Sequence, residues 1–263
     1  MTNECRRRVV IPSVIATLSM VIAPGAPAQR ALDLEPRAAG AREYAACMQL
    51  ARADPRAAHE AAVAWRAKSG GNASLHCIAV ALLGLGQFKQ AARMLEELAQ
   101  QTDGKRPTLK ARLYGQAANA WMIADAPAMS EKLLSRALAI HPDDVDLRID
   151  RAIARGTQGK YWDALDDLNH ALEKSPNRAD ALTFRASAWR LVKSPELARQ
   201  DIDQALKLRP DFPDALLERG LIRQALGDIA GARADWLLVL EITVEGAATE
   251  AARRNLEKID VKK

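Results

Sequence analysis

The chain has 263 residues, of which 49% are hydrophobic, 27% are charged and only 4% are aromatic. Much of the hydrophobic fraction is alanine, which has the highest helix propensity and lets helices approach closely. Runs of β-branched residues bounded by turn residues are missing, so the composition predicts an all-α protein. The formal charge of +5 is modest, and no basic stripe interleaved with aromatic residues is present, which argues against nucleic-acid binding.

The amino terminus has the three-part pattern of an export signal. Arg6, Arg7 and Arg8 precede an apolar stretch over residues 9–23, and Ala26 and Ala28 place small residues before a cleavage point. The alternative is an uncleaved membrane anchor, but the apolar stretch of about 15 residues is shorter than the roughly 20 that span a bilayer. We therefore expect a signal peptide over 1–28, cleaved near Ala28. The high alanine and arginine content of the chain is typical of bacterial proteins. We therefore expect a periplasmic protein without a stable membrane anchor.

Two less regular segments follow the signal. Residues 29–40 mix proline, glycine and charge without a clear period and are predicted to be a linker. Residues 41–71 are predicted to form a degenerate helical pair, 44–52 and 56–68, divided at Asp54 and Pro55, because proline suits the first turn of a helix.

A repeat of fixed length organises the rest of the chain. Pro142, Pro176 and Pro210 lie 34 residues apart, and each follows an Ala-Leu pair in the runs RALAIHP, HALEKSP and QALKLRP. Three regular units occupy 111–144, 145–178 and 179–212. A degraded unit over 213–244 has Val244 where the closing proline would fall, and an earlier pair starts at residue 72. The array therefore covers 72–244, and residues 245–263 are predicted to form a capping helix, about 247–258, and a tail.

This period and its placement of small and large residues resemble the tetratricopeptide repeat. On the first helix of unit 145–178 the small residue is Ala152, and on the second helix Ala164, Leu168 and Ala171 alternate small, large, small. The resemblance implies a right-handed superhelical solenoid of antiparallel helix pairs with a concave groove. It also implies a protein that binds other proteins, without cofactors.

Charged residues recur together at positions 7 and 23 of the units 145–178, 179–212 and 213–244. The unit 111–144 has Ala117 and Leu133 there, so the two charges are present or absent together within one unit. We therefore predict structural ion pairs between the two helices of the same repeat, in preference to a row of arginines that binds an anion. The predicted pairs are Arg151 with Asp167, Arg185 with Asp201, and Arg219 with Asp235.

The chain has three cysteines, and cleavage of the signal would remove Cys5. Cys47 and Cys77 then lie on the first helices of adjacent pairs, so in an oxidising compartment we expect a disulfide between them. The alternative is two buried thiols. A metal site is disfavoured, since Cys77 and His76 lack ligands at a metal-binding spacing.

No catalytic arrangement is evident in the sequence. The four histidines are scattered, and the chain has no phosphate-binding loop, nucleophile elbow or dinucleotide fingerprint. We expect no partner acid or base near the sequence pairs Asp143-Asp144 and Asp166-Asp167, and Asp143-Asp144 suits the start of the next helix. We therefore expect a protein that is not an enzyme.

The resemblance to tetratricopeptide repeats implies that positions 2, 5, 9 and 12 of each first helix face the groove. Similar proteins hold a chaperone's terminal carboxylate in a clamp, and Asn119 matches one residue of that clamp. The lysines and arginines that should surround it are not matched in this chain. The ligand is therefore expected to be a helix or an apolar segment. The groove candidates are Arg112, Asn119, Met122, Ile149, Ile153, Thr183, Ser187, Arg190, Leu217, Leu221 and Gln224.

Two functions from different classes remain open. One is a periplasmic scaffold that docks an envelope protein. The other is a cell-wall or carbohydrate-associated accessory protein of an envelope enzyme assembly, which predicts aromatic residues stacked along the groove. Trp121, Trp189 and Trp236 fall at core positions of the repeat and favour the scaffold, whereas an exposed pair of Trp65 and Trp162 would favour the second function.

Overall fold

A computed structural model describes residues 38–68 and 70–260. The predicted signal, residues 29–37 of the predicted linker, and the last three residues lie outside the described residues. The described chain forms thirteen helices: α1 (Ala38–Ala53), α2 (Pro55–Ala67), α3 (Gly71–Gly84), α4 (Phe88–Gln101), α5 (Pro107–Ile123), α6 (Pro127–Ile140), α7 (Val145–Thr157), α8 (Tyr161–Lys174), α9 (Ala179–Leu191), α10 (Pro195–Leu208), α11 (Pro213–Ala225), α12 (Ile229–Ile242) and α13 (Ala247–Asp260).

The helices pack as six sequential pairs and a final single helix, which confirms the predicted all-α array of helix pairs. Two boundaries differ from the sequence prediction. Helix α1 begins at Ala38, inside the predicted linker. The alanine-rich residues before Tyr44 favour a helix, so the helix begins earlier than predicted. Helix α5 begins at Pro107, before the start of the predicted unit 111–144, since proline is well suited to the first helical turn.

Local sequence explains where the helices begin and end. The side chains of Asp54, Asp144 and Asp228 accept hydrogen bonds from backbone N–H groups in the first turns of α2, α7 and α12. Pro142 and Pro176 each follow the end of a second helix by two residues, where a proline prevents the helix from continuing.

The core is built from alanine and leucine, with one large aromatic residue near the carboxyl end. Trp236 on α12 is fully buried against Gly220 on α11, and its indole Nε1 donates to the carbonyl of Leu217 at 3.3 Å. A Cβ atom at Gly220 would lie within 2.8 Å of the Trp236 ring. The absence of a side chain at Gly220 therefore lets the two helices of this repeat approach.

The pairs stack so that their first helices lie together on one side. The first helices of neighbouring pairs, α5, α7, α9 and α11, have backbones that lie close together. Within residues 38–68 and 70–260, the backbones of neighbouring second helices do not come comparably close. A stack that is tighter on one side curves towards that side. We call the side formed by the first helices the inner face, and the side formed by the second helices the outer face.

Across the part of the chain that the structure describes, no helix combines the length and the apolar character needed to cross a membrane.

Candidate functional site: the inner face

The groove candidates divide into exposed, half-buried and buried side chains on the inner face. Arg112 is exposed. The half-buried candidates are Asn119, Met122, Ile153, Ser187, Arg190, Leu221 and Gln224. Ile153, Ser187 and Leu221 occupy the same repeat position on α7, α9 and α11, so they form one row across three neighbouring helices.

The other three candidates, at position 5 of the repeat, are buried. Ile149, Thr183 and Leu217 expose only 4–6% of their surface. The Thr183 hydroxyl donates to the carbonyl of Ala179 within its own helix at 2.7 Å. Because all three side chains are buried, they do not face the open groove.

A chain of side-chain hydrogen bonds links successive first helices, and we call it the inner polar row. Its bridges are Tyr44 with His76 between α1 and α3, His76 with Gln116 between α3 and α5, and Asn119 with Asp150 between α5 and α7. Arg178 with Asp146 and Asp180 follows between α7 and α9, and Arg190 with Glu218 between α9 and α11. The row connects every neighbouring pair of first helices from α1 to α11.

His76 is the buried start of the inner polar row. The Tyr44 hydroxyl donates to Nδ1 at 2.9 Å and Nε2 donates to Oε1 of Gln116 at 2.9 Å, an arrangement that the neutral imidazole satisfies fully. Burial lowers the pKa of His76, against the opposing effect of the Gln116 hydrogen bond. Burial also raises the pKa of Tyr44 to about 12. Both groups are therefore uncharged at neutral pH.

Asp150 is the most perturbed carboxyl group of the inner face. Burial, with the negative charge of Asp146 adding to it, raises the pKa of Asp150 to about 7, although the Asn119 hydrogen bond acts in the opposite direction. Among the described residues no basic side chain lies within ion-pair distance of Asp150. Arg178, whose charge favours the ionised form of Asp150, is held at 2.7 Å by both Asp146 and Asp180.

The inner polar row was not predicted from the sequence, and three of its members lie at position 6 of the first helices. Gln116, Asp150 and Glu218 occupy that position, and Phe184 occupies it in the remaining unit. A signal was present in the sequence, since polar residues recur at multiples of 34. Their partners lie at unrelated repeat positions, so only the packed structure pairs them.

The predicted ion pairs lie between the two helices of each repeat. The guanidinium of Arg151 donates to Asp167 at 2.7 Å, and Arg185 and Arg219 contact Asp201 and Asp235 at 2.7 and 2.6 Å. All three carboxylates are buried.

Two further arginines and the preceding repeat extend these contacts. Arg148 and Arg155 also donate to Asp167, at 3.2 and 2.8 Å. Arg151 donates in addition to the Ser135 hydroxyl of the preceding second helix at 3.2 Å. These guanidinium groups are engaged by protein acceptors, which favours a structural role over anion binding.

The predicted disulfide is present. Cys47 on α1 and Cys77 on α3 are bonded and buried, with Cα atoms 6.3 Å apart. The bond therefore joins the degenerate first pair to the repeat array.

The tryptophans are placed partly as expected. Trp121 and Trp236 are buried, and Trp65 is half-buried against the core. Trp162 at the start of α8 is 65% exposed and meets the half-buried Trp189 edge-on, with ring centroids 6.1 Å apart. Trp65 and Trp162 therefore do not form an exposed pair, and the exposed Trp162 contacts Trp189 instead.

One expectation about the paired carboxylates was wrong. The structure places a base beside Asp143, because Nε2 of His170 and Nζ of Lys174 lie 3.0 and 3.2 Å from its carboxylate. The hydrogen bond from His170, followed by that from Lys174, lowers the pKa of Asp143. The contact joins one turn of α8 to the loop between α6 and α7 at an exposed surface, so it supplies a surface ion pair.

Comparison with known proteins agrees with this architecture. Residues 130–189 match the family described as Tetratricopeptide repeat. RNA polymerase II-associated protein 3 of Xenopus tropicalis is 31% identical over 100 residues, which cover 38% of this chain. The chain spans only 15% of the length of that relative.

Solved structures show the same fold at low identity. The C-terminal part of a TPR repeat-containing protein from Cytophaga hutchinsonii aligns with a TM-score of 0.60 and 13% identity, over 76% of this chain and 78% of that one. YrrB, described as a TPR protein with an unusual peptide-binding site, aligns with a TM-score of 0.55 and 18% identity, over 66% of this chain and 88% of its own.

Residues 130–189 therefore match tetratricopeptide repeats, and the helix pairs share the fold of solved tetratricopeptide-repeat structures. Within the described residues, no group of three or more His, Cys, Asp or Glu side chains is placed to hold a metal ion.

Proposed function

We propose that this chain is a non-catalytic scaffold of the periplasm that binds a segment of an envelope protein along its inner face. The observation that carries the proposal is the row of Ile153, Ser187 and Leu221 on three neighbouring first helices, none of them used by the inner polar row. Packed helices lie about 10 Å apart, so the row would span roughly 20 Å. That length matches about six residues of an extended segment, at about 3.3 Å per residue.

The chemistry of the inner face indicates the kind of segment. Ile153 and Leu221 offer apolar contacts at the two ends of the row, and Ser187 lies between them. Asp146 and Asp150 lie on α7 beside Ile153, and Arg178 is a base that acts on Asp150. We propose a segment that places apolar side chains along the row and a basic side chain near Asp150.

Site-specific photo-cross-linking in intact cells tests this function. A photoreactive residue is placed in turn at Ile153, Ser187 and Leu221, and a control is placed at the exposed Gln204 of α10 on the outer face. We expect the same envelope protein to be captured from the three inner positions and not from Gln204. No adduct from the inner positions, with the protein folded and exported, would remove the inner face as the working surface.

Export is proposed from the amino-terminal sequence pattern alone, since those residues lie outside the described part of the chain. Cell fractionation and amino-terminal sequencing of the purified protein test it. We expect a periplasmic protein that begins at Gln29. A full-length protein in the cytoplasmic fraction would contradict the proposal.

A second candidate is a cell-wall or carbohydrate-associated accessory protein, and the exposed Trp162 favours it. Aromatic side chains with one accessible face are suited to contact an amphipathic ligand. Co-sedimentation with purified peptidoglycan tests this function, and Trp162→Ala should abolish the binding. Wild-type protein that stays in the supernatant would discard the candidate and leave the scaffold proposal intact.

A further inference from the structure

The outer face of α12 is apolar and unpartnered. Leu237, Leu238 and Ile242 are 36–39% exposed on this helix, whereas Trp236 and Val239 on its opposite side are fully buried. Helix α13 packs against α11 and α12 in the place where the first helix of a next repeat would lie. Within the described residues no element covers the outer side of α12.

The earlier repeats have polar residues at the equivalent positions. Asp203 and Gln204 of α10 lie 34 residues before Leu237 and Leu238, and both are exposed. In α8 the same positions are Asn169 and His170. The repeat architecture therefore does not require leucine at these positions, and the change to leucine is confined to the last repeat.

Charges on the same face are arranged symmetrically about Leu237. Arg233 lies four residues before it and Glu241 four residues after it, and both are exposed. Four residues correspond to about 6 Å along a helix. In an antiparallel helix pair with a two-fold axis near Leu237, Arg233 of one copy would face Glu241 of the other, twice. The only ion pair of Arg233 in the described chain is a 3.6 Å contact with Asp260 in which both side chains are about half exposed.

Small residues complete the surface. Ala230 and Ala234 lie on the same exposed face of α12 and would allow a second helix to approach closely. Because the surface is on the outer face, its use would leave the inner face of both copies open.

We propose that α12 pairs with α12 of a second copy of this chain, antiparallel and about a two-fold axis near Leu237. A self-complementary surface is what a two-fold interface requires. One helix face is smaller than the roughly 800 Å² that each partner contributes to a standard interface, so we expect a weak dimer with a dissociation constant of about 10–100 μM.

Sedimentation equilibrium of the full chain between micromolar and several hundred micromolar concentrations tests the proposal. The matched variant Leu237→Asp/Leu238→Gln installs the residues found at the equivalent positions of α10, so it is compatible with the fold. We expect the wild type to dimerise and this variant to remain a monomer with an unchanged helical circular dichroism spectrum. A wild type that is monomeric throughout, or a variant that associates like the wild type, would overturn the proposal.

A charge exchange tests the antiparallel register. Arg233→Glu and Glu241→Arg should each weaken dimerisation about 5–10-fold, because each creates two like-charge contacts across the axis. The double variant should return to within about threefold of the wild type, since it restores both pairs with the charges reversed. A double variant as weak as the single ones would overturn the antiparallel arrangement.

Cysteine cross-linking separates a second copy from other occupants of this surface. Leu237→Cys should form an oxidative dimer in the full chain, whereas Asp203→Cys, at the equivalent position of α10, should not exceed the background of the parent chain. Binding of Leu237→Cys chains to lipid vesicles without any cross-linked dimer would assign the surface to a membrane and overturn the proposal. None of these outcomes depends on whether the inner face binds a partner.

Discussion

Single buried carboxylates accept hydrogen bonds from arginines of neighbouring helices and so join those helices. Asp167 accepts hydrogen bonds from Arg148, Arg151 and Arg155, and its side chain is only 1% exposed. An ion pair at a protein surface contributes about 0–1 kcal/mol, but removing one partner of a buried pair costs more because the other charge remains buried and unpaired.

The pair of Arg185 with Asp201 gives a direct test of this cost. Arg185→Ala should lower the free energy of unfolding by about 2–4 kcal/mol, because the Asp201 carboxylate would remain buried without a cation. Urea unfolding of Arg185→Ala, Asp201→Ala and the double variant measures the coupling between the two. We expect the double variant to lose less than the sum of the two single losses, and an unchanged stability of Arg185→Ala would contradict the structural role.

Asp150 should make stability depend on pH in the direction opposite to most carboxyl groups. Its pKa is about 7 in the folded chain and near 3.8 in the unfolded chain. Between these values the folded state holds a proton that the unfolded state has lost, so the contribution of Asp150 to stability decreases as pH rises from about 4 to 7.

The variant Asp150→Asn isolates this effect, because an amide does not titrate and has nearly the same shape. At pH 8 we expect it to be more stable than the wild type by about 1–3 kcal/mol, with the difference vanishing near pH 4. Denaturant unfolding at both pH values measures the difference. Equal stability of the two proteins at pH 8 would show that Asp150 is ionised without cost.

At the scale of helices, close packing within a repeat depends on a small residue opposite a large one. Gly220 of α11 faces Trp236 of α12, and the equivalent small residues Ala152 and Ala186 face Leu168 and Ile202 in the two preceding repeats. The larger tryptophan leaves no room for a Cβ atom at Gly220. In the last repeat, the missing side chain at Gly220 thus compensates for the larger side chain at Trp236, and the two helices remain closely packed.

Two glycine substitutions with opposite expected effects on stability test this packing. Gly220→Ala should lower stability by about 1–3 kcal/mol, since the added methyl group overlaps the Trp236 ring. Gly156→Ala in α7 has no atom within 4 Å of the added carbon, and it should raise stability by about 0.5–1 kcal/mol by favouring the helix. Thermal unfolding compares the two variants with the wild type. A neutral Gly220→Ala would mean that α11 and α12 can separate at little cost.

At the scale of the whole molecule, the array is stabilised through contacts between neighbouring repeats, so its ends are the least supported parts. The carboxyl end is covered by α13, which buries Ala248, Ala251 and Ala252 against α11 and α12. At the amino end, α1 and α2 depend on contact with α3 and on the disulfide between Cys47 and Cys77.

Removing the disulfide should release the amino end while the rest of the array stays folded. The bond closes a loop with a sequence separation of 30, for which chain entropy predicts about 3–4 kcal/mol. In the variant Cys47→Ala/Cys77→Ala we expect amide hydrogens of α1 and α2 to exchange much faster and those of α7–α12 to be unchanged. Hydrogen exchange followed by mass spectrometry measures both regions at once. Equal acceleration throughout would indicate that the chain unfolds as one unit.

The sequence by itself determined the repeat period, the helix pairs, the capping helix and the residues of three intra-repeat ion pairs. These features are local or recur every 34 residues, so the pattern of small, large and charged residues is enough to reveal them. The disulfide was also predictable, because only two cysteines lie in the helical part of the chain and they fall on adjacent first helices.

Only the tertiary structure decided which inner-face residues are accessible and which polar groups meet. Ile149 and Ile153 are alike in sequence, yet one is buried between helices and the other is partly open. The partners Asn119 and Asp150, and Arg190 and Glu218, occupy different repeat positions, so no period relates them. Contacts between repeats depend on the distance and rotation between neighbouring helices, and these are determined by the packing of many side chains at once.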